Sequence, residues 1–186
     1  MRKKIFFIVM ASLCLNFSSF SQQENRMLYG LKIGDRVPNI VFTHVANYSD
    51  TVITTSKLEN KVLLLDLWAT WCGTCISRFP HIDSLQKSFQ NQIQIILVNT
   101  SGRDRDRSRV DKFVAGYLSD HESFSVPFVP QSVVYDRLFP CYALPHYVWI
   151  GADRKIKAIT GYEEVNQSNI LRLIQGQTLD LPLKTR

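Results

Sequence analysis

Two nearly unbroken apolar runs dominate the chain, Val62-Leu63-Leu64-Leu65-Asp66-Leu67-Trp68 and Ile93-Gln94-Ile95-Ile96-Leu97-Val98-Asn99. Runs of this length without polar alternation predict strands covered on both faces. Between them Ile76, Phe79, Ile82, Leu85 and Phe89 recur at steps of three or four, which predicts a helix over 73–90. Pro80 falls inside that helix and predicts a kink. Val110, Phe113, Val114 and Tyr117 share one helical face and predict a second helix over 105–119. Residues 120–140 hold Pro127, Pro130 and Pro140, follow neither period, and are expected to be irregular. His146–Ile150 predicts a third strand, 151–154 a hairpin turn, 155–160 a fourth strand, and 166–175 a closing helix. Upstream, β-branched runs at 39–44 and 51–55 flank Asn47-Tyr48-Ser49-Asp50 and predict a hairpin. No internal repeat or domain boundary interrupts this order. Strands alternating with helices, then a hairpin and a helix, predict an α/β layered domain.

Composition narrows the class. With 186 residues, 45% hydrophobic and 20% charged, the chain can bury one core and does not resemble a disordered or disulfide-dense chain. The formal charge is +6, but Arg2, Lys3 and Lys4 supply half of it. Residues 1–21 contain no acid, so the remainder carries 19 basic and 16 acidic groups, a balance that argues against nucleic acid as partner. Those three basic residues precede an apolar stretch over 5–15 and a small-residue Ser19-x-Ser21 ending. This is the pattern of a secretory signal peptide cleaved after Ser21. The alternative is a membrane anchor, although the apolar run is shorter than the roughly 20 residues that span a bilayer. Acylation at Cys14 is disfavoured by Leu13, where a small residue is wanted. The expected organisation is a signal peptide over 1–21, a flexible leader over 22–30 and one domain over 31–186, exported to the periplasm or cell envelope.

Export changes how the cysteines are read. Cys14 leaves with the signal, and Cys72, Cys75 and Cys141 remain, too few for a structural disulfide framework. Cys72 follows a predicted buried strand and precedes a predicted helix. A thiol there meets unpaired helix N–H groups and the positive end of the helix dipole. Both favour thiolate, so its pKa should fall below the free value of about 8.5. Gly73 and Thr74 place Cys75 about one helical turn later, within disulfide reach. Such a pair can attack a disulfide through one sulfur and resolve the mixed disulfide through the other. The alternatives are half a zinc site or a purely structural disulfide. Zinc needs two more ligands, and Cys141, His44, His81, His121 and His146 include no pair with half-site spacing. A structural bridge over so short a loop gains little.

The segment Asp66-Leu67-Trp68-Ala69-Thr70-Trp71-Cys72-Gly73-Thr74-Cys75 resembles the thioredoxin active site. Pro80 stands where thioredoxins kink the active-site helix, and Leu144-Pro145 resembles the cis-proline that faces the cysteine pair. The signal sequence, the Gly34-Asp35-x-x-Pro38 lead-in and the extra hairpin are similar to the exported TlpA/ResA-type branch, which overlaps with the AhpC/TSA redoxins. The resemblance covers residues 31–175. It implies a thioredoxin-like fold with a central mixed β-sheet flanked by helices, here with an N-terminal β-hairpin extension, and thiol–disulfide oxidoreductase activity. It assigns Cys72 as nucleophile, Cys75 as resolving cysteine and Asp66 as the buried acid that accepts the Cys75 proton. The alternative for Asp66 is a satisfied polar residue at a strand edge. Pro145 would present backbone to an extended substrate, with Trp71, Gly73, Thr74 and Leu144 around it. Leu144 departs from the small or β-branched residue common before this proline, which bears on substrate preference.

Cys141 is read as a small buried residue, with a third redox thiol as the alternative. Trp68 is assigned to the core and His146 to a strand. Arg103, Arg105, Arg107 and Arg109, alternating with Asp104 and Asp106, read as a solvated helix start. No metal and no bound cofactor is implied. The expected partners are protein thiols and disulfides of the envelope and a membrane or envelope thiol that donates electrons, with the protein acting as a monomer. Disulfide reduction is the leading activity. A peroxide-reducing redoxin would need a Pro-x-x-x-[Thr/Ser]-x-x-Cys context that 66–72 lacks, and a copper-delivery protein would have three residues between its cysteines.

Overall fold

The computed structural model describes residues 30–58, 60–100, 104–130 and 133–184. The signal peptide, nearly all of the leader and Arg103 therefore lie outside the described residues.

Strand β3 (Val62–Trp68) is fully buried along its length and forms the middle of the sheet. β4 (Ile93–Asn99) pairs with it in parallel, and β6 (His146–Ile150) pairs with its other edge antiparallel. β7 (Ile156–Thr160) extends the antiparallel side beyond β6, β5 (Phe128–Val129) lies beyond β4, and the sheet order is β5-β4-β3-β6-β7. Successive side chains on a strand point to opposite faces, and β3 shows this directly. Leu63, Leu65 and Leu67 enter one apolar cluster, while Val62, Leu64 and Trp68 enter the other. Asp66 has the parity of Leu64 and Trp68. It therefore points to the face covered by helices α1 (Gly73–Ser88), α2 (Arg107–Asp120) and α4 (Gln167–Ile174).

That face is packed with aromatic rings. Trp68 lies 5.4 Å from Phe79, 5.3 Å from Phe113 and 5.6 Å from Phe128, measured between ring centroids. The opposite face is covered by the hairpin β1 (Val41–Thr43) and β2 (Val52–Thr54), which pair in register through Phe42↔Ile53. The expected hairpin extension is thus present, with three paired residues on each strand.

The segment 120–140 corrects the expectation of irregular structure. It contains β5 (Phe128–Val129), parallel to β4 through Leu97↔Phe128, and helix α3 (Val133–Leu138). Two residues are too few to show a period. β5 is specified instead by its ladder to β4 and a bridge to Ala46 on its outer side. α3 is held through Tyr135, whose ring sits 4.9 Å from that of Phe42. Pro80 lies inside α1, which continues through it. Among the described residues no helix is long and apolar enough to cross a membrane.

Candidate active site

The chain leaves β3 at Trp68, turns, and enters α1 at Gly73. Cys72 is the residue capping that helix, and its Sγ accepts the Cys75 amide at 3.2 Å. An N-cap acceptor takes up one of the orphan N–H groups of the first turn, and the same bond stabilises a thiolate once the pair is reduced. Cys72 and Cys75 form a disulfide of 2.04 Å with Cα atoms 5.3 Å apart. The two sulfurs differ in access. Cys72 is 6% exposed and Cys75 0%. Trp71 beside them is 47% exposed, and Gly73 and Thr74 are exposed as well. A Cβ added at Gly73 would meet nothing within 4 Å, so the surface at this position, next to Cys72, is open.

The turn that presents Cys72 is fixed by a residue misread from the sequence. Asp104 is buried and accepts from the Thr70 backbone amide at 2.7 Å, the Thr70 hydroxyl at 2.6 Å and the Asn99 side-chain Nδ2 at 3.0 Å. It is not part of a solvated helix start. Its neighbour Asp106 does take that role, capping α2 through the Ser108 amide at 3.0 Å. Burial alone would raise the Asp104 pKa. The bonds from Thr70 and Asn99, with Arg109 nearby, outweigh burial and hold it below the usual 3.8. A second tie runs from the Thr100 amide to the Trp68 carbonyl at 3.0 Å. Asp104 and Asp106 look alike in the sequence, and the partners that set Asp104 apart lie 34 residues upstream at Thr70 and five upstream at Asn99.

Asp66 is 0% exposed, and neither of its oxygens makes a hydrogen bond among the described residues. Desolvation pushes its pKa up to about 8, opposed by the nearby Tyr147 hydroxyl and the Arg78 charge. Tyr147 is its cross-strand partner on β6. The Tyr147 hydroxyl faces the carboxyl without closing a bond of ordinary geometry. Arg78 comes from α1, where its guanidinium also lies 5.7 Å from the centre of the Tyr162 ring. Asp66 is therefore a buried acid on the Cys75 side of the sheet, and the strand-edge alternative does not describe it.

The Leu144–Pro145 peptide bond is cis. Because His146 pairs with Leu67, Pro145 reaches the end of the sheet where β3 gives way to the Cys72 turn. Leu144 is half-buried and touches both apolar clusters. His146 is buried at the start of β6, and burial together with the Lys184 charge pushes its pKa down to about 4. Cys141 is half-buried, its thiol bonded to the Ala143 carbonyl at 3.0 Å, and burial raises its pKa. Among the described residues no three His, Cys, Asp or Glu side chains cluster as a metal site requires.

This geometry agrees with three comparisons. The redoxin family model matches residues 32–174. Over 160 residues the chain is 25% identical to thiol-disulfide oxidoreductase ResA of Oceanobacillus iheyensis, covering 85% of this chain and 78% of ResA. Its fold is similar to that of a DsbE-type thiol:disulfide interchange protein from Chlorobium tepidum (TM-score 0.60, 24% identity, 77% of this chain and 99% of that one). It is also similar to the exposed lipoprotein thioredoxin Etrx1 of Streptococcus pneumoniae (TM-score 0.59, 15% identity, 75% and 99%). A strand-to-helix disulfide pair on a mixed sheet, within a match that spans most of the chain, places this protein in the redoxin family as a thiol–disulfide oxidoreductase of thioredoxin-like fold.

Proposed function

We propose that this redoxin is an extracytoplasmic disulfide reductase in which Cys72 attacks and Cys75 resolves. The asymmetry of the pair carries the reading. Cys72 caps the helix and keeps 6% of its surface open beside the exposed Trp71, Gly73 and Thr74, whereas Cys75 is fully sealed on the same face as a buried acid. In the reduced enzyme the Cys72 thiolate attacks one sulfur of a substrate disulfide. The substrate S–S bond breaks, and the leaving sulfur departs as a thiolate that takes a proton from solvent. The Asp66 carboxylate then accepts the proton of the Cys75 thiol, and the new thiolate attacks Cys72 Sγ. The second substrate sulfur leaves and is protonated, and the internal disulfide closes. The substrate gains two electrons that the cysteine pair loses. A carboxyl with a pKa of about 8 suits this step, because an acid–base group works best near the operating pH.

Pro145 and Leu144 form the backbone edge that receives an extended substrate, and Trp71, Gly73 and Thr74 form the rim around Cys72. Substrates are protein disulfides of the envelope, and a membrane or envelope thiol relay reduces the pair again. The sulfurs carry the electrons, so the cycle needs no bound cofactor. The basic and apolar pattern of residues 1–21 supports export, with a leader over 22–30 and a monomeric working domain over 31–186. Equilibration with glutathione buffers tests the direction of electron flow. A potential of about −270 mV is expected, and one of about −120 mV would make the protein an oxidant. Fractionation of cells expressing the full chain tests the location, with release alongside periplasmic markers expected.

A further inference from the structure

The loop 141–145 reaches the active-site end of the sheet from the β6 side, and its support comes from far along the chain. After α4 the backbone runs back beside β7, where the Lys184 amide donates to the Ile159 carbonyl at 3.0 Å. From there the Lys184 ammonium donates to the Ala143 carbonyl at 2.6 Å and also to the Pro145 carbonyl. These two carbonyls flank the Leu144–Pro145 unit. The Ala143 oxygen is shared with the Cys141 thiol. The Leu144 amide and carbonyl, by contrast, make no hydrogen bond among the described residues.

We infer that Lys184 is a positioning residue for substrate docking, an ammonium strap that fixes the loop carbonyls on either side of Leu144 and so presents the Leu144 backbone as a ready pairing edge. This rests on the reading above that Leu144 and Pro145 receive the substrate. The physical reason is entropic. A loop edge that adds a strand must be ordered either before or during binding. An ammonium offers three donors on a long stem, and here two of them reach one loop. A surface lysine ordinarily keeps its charge in water. Lys184 is instead drawn partly into the protein, on the wall of an apolar recess of about 550 Å³ lined by Phe139, Pro140, Val148, Ile159 and Leu183. The loop carbonyls offset that desolvation. Without the ammonium the loop loses two charge-assisted bonds, and the substrate must order the loop on arrival.

The test uses the full chain with Lys184→Met, which keeps an unbranched apolar side chain and removes the donors, and Lys184→Arg, which restores donors able to span two carbonyls. Insulin reduction with dithiothreitol as terminal reductant gives KM and kcat, and dithiobis(nitrobenzoic acid) serves as a disulfide with no backbone to pair. Amide hydrogen exchange over 141–148 reads the loop itself. Lys184→Met is expected to raise KM for insulin about five- to tenfold, the loss of one or two hydrogen bonds to a charged group partly shared with solvent. The effect is confined to KM, loop exchange speeds up, and Lys184→Arg reverses both changes. An unchanged insulin KM, or an equal fall in kcat for both disulfides, would overturn the assignment. Wild-type protein that fails to reduce insulin would count against the proposed function. Loop exchange would still decide the strap in that case, since exchange unaffected by Lys184→Met removes it.

Discussion

Asp66 and Tyr147 face each other across the β3–β6 ladder, and both bury their side-chain oxygens with no hydrogen bond among the described residues. Burial pushes both pKa values upward, and the Asp66 charge adds to the rise at Tyr147. The phenol therefore keeps its proton throughout the working range. The carboxyl is left as the group that titrates near neutrality, within the layer that also contains Cys75.

Asp66 should make the protein less stable as pH rises. Its folded pKa, about 8, lies above the ordinary 3.8, so between these values the folded chain binds a proton that the unfolded chain has lost. Stability from this group is complete below about pH 4 and is lost as pH rises through 8, with a slope of at most about 1.4 kcal/mol per pH unit. Denaturant unfolding of the oxidised protein from pH 5 to 9 checks it. Asp66→Asn should abolish this contribution and be the more stable form at pH 8, and parallel pH profiles for the two proteins would contradict the burial argument.

Trapping separates the roles of the two sulfurs. Cys75→Ser leaves an attacking thiol with nothing to release it, so mixed disulfides with envelope proteins should accumulate on Cys72. Cys72→Ser leaves the sealed Cys75 and the half-buried Cys141, neither placed to attack, and should trap none. Non-reducing electrophoresis of the tagged variants reads this directly, and equal trapping by both would reverse the assignment.

Asp104→Ala should cost about 2–4 kcal/mol, because it removes three bonds and strands the Thr70 amide inside the turn. The pH dependence has the opposite sign to that of Asp66. A carboxyl held below 3.8 in the fold contributes stability that is present above that value and lost as pH falls through the lower folded pKa. Thermal unfolding of both proteins at pH 7 and in strong acid measures it, with the gap between them narrowing in acid.

The parts of this fold that were legible in the sequence are those whose cause is local. The runs that become β3 and β4 are buried on both faces and so are apolar throughout, and the structure places them over the predicted residues. The Cys72–Cys75 pair was legible because two intervening residues and a helix start dictate its geometry. What escaped has distant causes. β5 is set by its pairing with β4 and Ala46, which no local pattern announces. Asp104 looks solvated among its arginines until Thr70 and Asn99 are brought to it. Lys184 lies 39 residues from Pro145 and shows no pattern of its own.

The most direct measurement is the pH dependence of Cys72 alkylation by iodoacetamide in the reduced protein, with the modified residue identified by mass spectrometry. A sulfur capping α1 should ionise with a midpoint below the free value of about 8.5, while Cys75 stays unmodified. A Cys72 midpoint at or above that value, in a protein that also leaves insulin unreduced, would contradict the account.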